Sequence, residues 1–366
     1  MLKKLLIDKK ELKKIDFAML LTAILILLYG TYNIYIATNS VAGTYYPKLQ
    51  LIWLLVSLIS VYIILLMDYR QVYRIVDILY WIMIVLLVAV LFTTETKGAK
   101  RWFNIGNFKF QPTEFAKLTT MLKISKELNK VDGDLNNVKN FFKVTIYAAI
   151  PMVLMLLEPD LGITLLTFSI VLGIYFASGL KIKVIVGGFA SIVGFFMLIL
   201  TTNLAPNHWK NRLASFVLDE GSELGIDYQL SKSMISIGSG GLKGSLTPGF
   251  FQRIPENYTD FIFAVIAENF GLIGGIILLV LYGFLMVRML RIASKTEDIF
   301  GKSIAVGVFS LFLFSILQNI GMTMGVMPIS GITLPLVSYG GSSVLTTFIS
   351  IGMVLNVGMK RKTSLF

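Results

Sequence analysis

Apolar runs of about 20 residues recur along this 366-residue chain, and they constrain its fold more than any other feature. A run of that length crosses the hydrocarbon core of a bilayer as a helix, because lipid offers no hydrogen-bond partner to exposed backbone. Hydrophobic residues make up 55% of the chain and charged residues 15%, where a soluble domain carries about 25% charge. A soluble globular fold is therefore excluded. The chain has no Cys and one His, His208. That removes disulfides, thiolate nucleophiles, Cys-ligated metals and multi-His metal sites, and disfavours a Ser-His-Asp relay. Chemistry in this chain falls to carboxylates, Lys, Arg, hydroxyls and backbone.

The clear apolar segments lie at 16–36, 47–67, 74–94, 142–157, 161–180, 183–202, 261–288, 302–325 and 341–359. A tenth, 112–129, is more polar and by hydropathy alone could be a surface helix. The basic start, with six Lys before Asp16, and the end, with Lys360, Arg361 and Lys362, both belong inside by the positive-inside rule. Two inner termini require an even number of spans, so 112–129 is counted. Ten spans place 22 basic and ten acidic residues inside, and 11 of each outside. The net charge of +12 is thus topology rather than a nucleic-acid footprint. The expected architecture is an all-α integral membrane protein, one polytopic domain over 1–366. Residues 1–15 form a cytoplasmic basic tail, the first span is a retained anchor, and a long outer loop covers 203–259 between helices 7 and 8.

A carboxylate within or at the lip of a span costs about 2.5–3.5 kcal/mol, so each one is a candidate functional group. Glu114 and Lys117 share a face at i,i+3 spacing and are either a structural ion pair or a reactive one. Glu158 and Asp160 flank Pro159 in a tight outer turn, where they either cap the next helix or line a site. Asp77 reads as a solvated interface residue and Glu268 as a cross-helix pairing group. Asp260 is the sharpest case. It follows a polar segment at an outward-facing helix N-terminus, where the dipole favours the ionised form while partial desolvation opposes it. An ionised carboxylate of that kind suits a general base.

The outer loop 95–111 carries Lys97, Lys100, Arg101 and Lys109 beside Trp102 and Phe103. Basic and aromatic residues at headgroup depth suit either a lipid-linked phosphate or pyrophosphate, or bulk anionic lipid. The glycines of 236–244 could cradle phosphate but lack the Walker spacing. His208 and Trp209 read as interfacial anchors.

The segments RWFNIGNFKFQPTEFAK (101–117), LLEPDLGITLL (156–166), YQLSKSMISIGSGGLKG (228–244), PENYTDFIFAVIAENFG (255–271) and MPISGITLPLVSYGGSS (327–343) resemble, in order, the signatures of the SEDS family of shape, elongation, division and sporulation proteins. The chain resembles the family's elongation member more than its division member. The resemblance implies a ten-span glycosyltransferase of the bacterial cytoplasmic membrane, which polymerises lipid II into peptidoglycan on the outer face. In that chemistry an acceptor 4-hydroxyl attacks the donor's anomeric carbon with inversion, and undecaprenyl pyrophosphate leaves.

By the same resemblance, Asp260 matches the essential carboxylate and candidate base. Glu114 and Lys117 match a polar pair lining a central cavity, and Arg101 an Arg suited to diphosphate, with Lys97, Lys100 and Trp102 beside it. Glu158 and Asp160 match a polar turn near that cavity, and Ser338, Gly340 and Gly341 a helix-packing motif that lines it. Tyr258 stands where the family usually has His, and Asn269 where an acid often follows Glu268. A metal here would take oxygen ligands, which selects Mg²⁺ or Mn²⁺; no organic cofactor is implied. The implied partners are lipid II, the nascent glycan strand, membrane lipids and a class B penicillin-binding protein, a transpeptidase. Nucleic acid is not among them. The competing reading is a lipid II flippase on the same scaffold.

Overall fold

The structure, a computed structural model, describes residues 9–93, 100–105, 108–188, 190, 194, 226–247 and 249–360. After a one-turn helix Lys9–Leu12 come α1 (Phe17–Ala42), α2 (Tyr45–Leu66) and α3 (Tyr69–Val90). A short hairpin, β1 (Phe103–Ile105) with β2 (Phe108–Phe110), pairs Phe103 with Phe110. It is followed by α4 (Pro112–Lys130), α5 (Val138–Leu157) and α6 (Leu161–Ala177). Then come α7 (Ile226–Ser239), a 3₁₀ turn (Phe250–Arg253), α8 (Ile262–Ser294), α9 (Ile299–Thr323) and α10 (Gly341–Lys360).

Among the described residues, seven helices are long and apolar enough to cross a membrane. The shorter apolar α6 and the polar α4 account for two more of the expected spans. The remaining one, 183–202, starts as helix at 182–188 and otherwise lies almost wholly outside the described residues. So do Lys97, His208 and Trp209. The hairpin and α7 were not foreseen. Both fall in segments read from the sequence as loops.

Acidic and amide residues set the helix starts. Asp16, Asp68, Asn137, Asp160 and Asp298 each cap a helix, their side chains accepting from backbone N–H groups of the first turn. Helix α4 begins with Pro112 at its first position and Glu114 in the first turn, where the helix dipole favours a negative charge. It is too polar to face lipid, and it does not. All residues from Pro112 to Leu128 are buried except Phe115 and Thr119, which are half-buried. Helices α3, α5, α6, α9 and α10 encase it. Burial in protein rather than lipid is what lets a helix with this many charges sit in the bundle.

The C-terminal half of α4 is stapled by charge. Lys123 donates to Asp77 Oδ1 at 2.6 Å and to Glu127 Oε1 at 2.7 Å, with its ammonium 4.0 Å from the Tyr147 ring centroid. Lys126 donates to Asp77 Oδ2 at 2.8 Å. Asp77 is therefore a clamp between α3 and α4, not simply the solvated interface residue that its position suggested. Its two Lys partners come from one helix face, a pairing that a scan along α3 does not reveal.

Helix α8 is broken at Gly271, whose φ of 63° and ψ of −160° leave the helical region. The turn 241–245 fills the break: Leu272 and Ile273 donate to the carbonyls of Gly241 and Leu242, and Ser245 donates to Glu268. A Cβ on Gly240 would lie 1.9 Å from the Ala267 carbonyl oxygen, and one on Gly244 2.1 Å from that of Asn269. These glycines allow backbone to lie against backbone, and that contact accounts for them without a phosphate.

Candidate active site

Between α9 and α10, residues 327–340 run without regular secondary structure and fold back against the bundle. Asp260, Ser338 and Gly340 meet on this segment. Ser338 Oγ accepts from Leu334 N at 2.8 Å and donates to the Thr259 carbonyl at 2.6 Å. Tyr339 N donates to the Tyr258 carbonyl at 3.0 Å. Gln50 of α2 donates to the Ser338 carbonyl at 3.2 Å. The stretch that carries Asp260 is thus pinned along the fold-back segment just before α8 begins.

Asp260 itself is half-buried. Its carbonyl accepts from Asn319 Nδ2 at 2.9 Å, and the same amide donates to the Ile332 carbonyl at 2.8 Å. Its carboxylate lies toward Gly331, where a Cβ would sit 3.7 Å from Oδ2. Gly331 has φ +72°, so it both makes the turn and leaves room beside the carboxylate.

The other side of the segment meets the Glu158–Asp160 turn. A Cβ on Gly162 would lie 2.5 Å from the Ser330 carbonyl oxygen, so α6 begins in direct contact with the fold-back segment. Arg101 closes this turn. Its Nε donates to the Glu158 carbonyl at 3.1 Å, its Nη2 to the Pro159 carbonyl, and its Nη1 lies 3.7 Å from Asp160 Oδ2. Gln111 also reaches Asp160, at 3.5 Å. Trp102 is half-buried and Lys100 exposed beside this turn.

Arg101 caps the carbonyl end of α5 while Asp160 caps the amide start of α6. Two of the five guanidinium N–H groups are spent on carbonyls. The rest remain for an acidic group, whether Asp160 or a ligand. Glu158 differs from its neighbours: it is fully buried, and neither carboxylate oxygen has a hydrogen-bond partner. Burial, reinforced by Asp160 and opposed by Arg101, pushes its carboxyl up to about 9. It therefore carries a proton at neutral pH.

Glu114 and Lys117 are both buried and form an ion pair at 2.7 Å. Thr346 of α10 donates to the same Glu114 oxygen at 3.0 Å. Thr333 and Ser343 hydroxyls pair at 3.1 Å, tying the fold-back segment to the start of α10 one turn before Thr346. Polar contacts thus lead from the Asp260 side, through 331–346, to the Glu114–Lys117 pair in the interior.

Two motif residues act in packing. Gly341 lies against the Trp53 indole, with a Cβ position 2.3 Å from Cε2, whereas a Cβ on Gly340 would make only ordinary contact, with Ser343 Cβ at 3.6 Å. Glu268 is wholly buried. It accepts from the backbone N–H groups of Gly249, Phe250 and Phe251 and from Ser236. It ties the segment 249–251 and the Ser236 hydroxyl of α7 to α8, so it pairs across helices through neutral groups rather than with a charge. Asn269 bonds its own helix at the Val265 carbonyl.

Tyr258 joins Tyr46 and Tyr339, with ring centroids 4.6 Å and 5.8 Å from its own. Burial, and then the hydrogen bond with Tyr46, pushes its phenol above the ordinary range. That makes it a neutral group, not a base. Among the described residues no three His, Asp or Glu side chains converge as a metal cage. Asn319, Gln50, Gln111 and Thr346 are uncharged site residues that no charge or spacing in the sequence singles out. An Asn inside the apolar run of α9 was the available signal.

The family model of the FtsW/RodA/SpoVE proteins, described as cell cycle proteins, matches residues 11–363. Peptidoglycan glycosyltransferase MrdB of Escherichia coli strain K12 is 38% identical over 289 residues, covering 78% of each chain. Stage V sporulation protein E of Bacillus subtilis strain 168 is 30% identical over 347 residues, covering 93% of this chain and 94% of its own. A chain solved in a study of polymerization and crosslinking by a peptidoglycan synthase complex superposes with TM-score 0.83 at 28% identity, covering 95% of this chain and 98% of that one. Rod shape determining protein RodA of Thermus thermophilus gives 0.71 at 28% identity, covering 95% and 97%.

Proposed function

The chain belongs to the FtsW/RodA/SpoVE family of cell cycle proteins and is a multi-pass membrane glycosyltransferase of peptidoglycan synthesis; from that premise we propose that it polymerises lipid II, with Asp260 as the base. The observation that carries this reading is the clamp on Asp260. Asn319, together with Ser338 and Tyr339 acting on the two residues before it, fixes the backbone, while the carboxylate faces the glycine turn at Gly331. A base held by its backbone keeps its place as a substrate enters, and positioning of that kind contributes directly to rate.

In the proposed reaction the GlcNAc 4-hydroxyl of one molecule attacks the anomeric carbon of the MurNAc of another, with inversion. Asp260 takes the hydroxyl proton, the C–O bond to undecaprenyl pyrophosphate breaks, and the departing diphosphate keeps the electron pair. Arg101 supplies N–H donors to that diphosphate, aided by Lys100, Lys97 and the stacking surface of Trp102. The Glu114–Lys117 pair, Glu158 and Asp160 line the polar interior. A single carboxylate with substrate diphosphate oxygens suits Mg²⁺ or Mn²⁺, which commonly takes one or two protein ligands. Such a cation would stabilise the charge developing on the leaving group.

Resemblance to a rod shape determining protein supports work on the elongating wall in the bacterial cytoplasmic membrane, and the Lys-rich ends of the sequence support both termini inside. The synthase complex that this chain resembles in fold supports a class B penicillin-binding protein as partner, linking the new strand. The experiment is polymerisation of lipid II by purified protein, with and without that partner and a divalent cation. Asp260→Asn should abolish polymer while lipid II binding persists. Polymer made at the wild-type rate by Asp260→Asn would remove the base assignment, and lipid II movement across liposomes without any polymer would favour a flippase.

A further inference from the structure

At the inner end of the bundle, Asp16 and Arg288 form a bidentate pair, with Nε to Oδ2 and Nη2 to Oδ1 both at 2.7 Å. Beside them, Glu11 and Lys360 pair between the N-terminal segment and the end of α10. These contacts place the start of α1, the end of α8 and the end of α10 on one side of the membrane. Between them lies a cavity of about 190 Å³. Lys14, Asp16 and Arg288 give it a polar mouth, and Ile15, Ile292 and Leu355, all buried, wall it.

An ion pair alone would be a structural staple. Three features go further. The Asp16 carboxylate occupies only two of the five N–H donors of Arg288, leaving the Nη1 edge available. Lys14, exposed at the mouth, adds a second cation, so the pocket's own side chains carry two positive charges against one negative. The volume equals that of about six waters, room for a phosphodiester and its glycerol carbons.

The membrane side of the pocket continues as an apolar stripe. Phe284, Val280, Ile277 and Ile273 precede Arg288 on α8, and all four are exposed. Their spacing keeps them on the same helix face as Arg288, so the stripe leads away from the pocket along α8. The Arg288 guanidinium lies over the Phe284 ring at 5.8 Å, at the pocket end of that stripe. A free anion has no use for such a stripe, whereas an acyl chain does. Basic pockets between helices on the cytoplasmic side are a general mode of anionic headgroup recognition.

We propose that this pocket seats one anionic phospholipid of the inner leaflet, its phosphodiester on Lys14 and Arg288 and an acyl chain along the α8 stripe from Phe284 to Ile273. The bound lipid ties α1 to α8 and α10. This site is independent of the Asp260 chemistry.

Full-length protein in neutral detergent, titrated with phosphatidylglycerol and followed by native mass spectrometry, tests the assignment. One phosphatidylglycerol should remain bound under conditions that strip phosphatidylcholine. Lys14→Gln should weaken its retention about fivefold, the weight of one cation near a membrane surface. Arg288→Lys, which keeps the charge but loses the fork, should weaken it as well. Lys295→Gln, also exposed at the inner end but outside the cavity, should leave it unchanged. Equal retention of phosphatidylcholine, an unaltered Lys14→Gln, or an equal loss in Lys295→Gln would overturn the site. Displacement of the lipid by millimolar inorganic phosphate would overturn the lipid and leave only an anion pocket.

Discussion

Asn319, inside the apolar run of α9, holds the backbone of Asp260 through one amide nitrogen, 2.9 Å from the Asp260 carbonyl and 2.8 Å from that of Ile332. The side chain is wholly buried, and its bond to the Ile332 carbonyl is buried as well. Asn319→Leu keeps the volume and removes both bonds, at about 1–3 kcal/mol for each acceptor left unpaired. Lipid II polymerisation should fall at least about tenfold, with lipid II binding close to wild type. A rate equal to wild type would mean that the clamp does not position the carboxylate.

Arg101 reaches two successive carbonyls through different nitrogens of one planar group, which an ammonium cannot reproduce. Lipid II polymerisation should decline in the order wild type, Arg101→Lys, Arg101→Ala, with the loss chiefly in apparent KM. Steady-state kinetics with graded lipid II checks this, and equal activity in all three forms would detach Arg101 from substrate.

Glu158 has a folded-state pKa of about 9 in the turn between α5 and α6, against an ordinary value of 4.5. The folded protein holds this proton more tightly than the unfolded chain does. Its stabilising effect is full below pH 4.5, declines as pH rises from there, and is gone above about pH 9. Glu158→Gln keeps the shape without the ionisation. The variant should melt close to wild type near pH 5 and at a higher temperature than wild type at pH 9. Parallel melting curves across that range would place the ionised carboxylate with a partner.

Gly238 and Gly240 sit two residues apart in a Gly-rich stretch but in different surroundings. A Cβ at 238 meets nothing within 4 Å, while one at 240 meets the α8 backbone at 1.9 Å. Gly238→Ala should be neutral or slightly stabilising, since Ala favours helix over Gly. Gly240→Ala should lower the melting temperature by several degrees, as overpacking costs about 1–3 kcal/mol. Comparable melting of the two variants in detergent would show that α8 yields at this contact.

Composition and spacing alone determined that this chain is a membrane bundle. Apolar runs of membrane-spanning length leave helices as the only way to satisfy the backbone, and the bias of Lys and Arg orders the loops. They also singled out Glu114, Glu158, Asp160, Asp260 and Glu268, since a carboxylate near lipid is too costly to be idle. What they could not assign was the partner of each, because partners lie far apart in sequence. Glu268 meets the backbone of a turn 17 to 19 residues away, Glu114 meets Thr346, and Asp77 meets Lys123 and Lys126. The polar helix 112–130 was ambiguous by hydropathy for the same reason. Hydropathy measures the transfer of a helix into lipid, whereas five neighbouring helices make its surroundings protein. Tertiary structure alone decided which charges are staples, and that an uncharged Asn on α9 steadies Asp260.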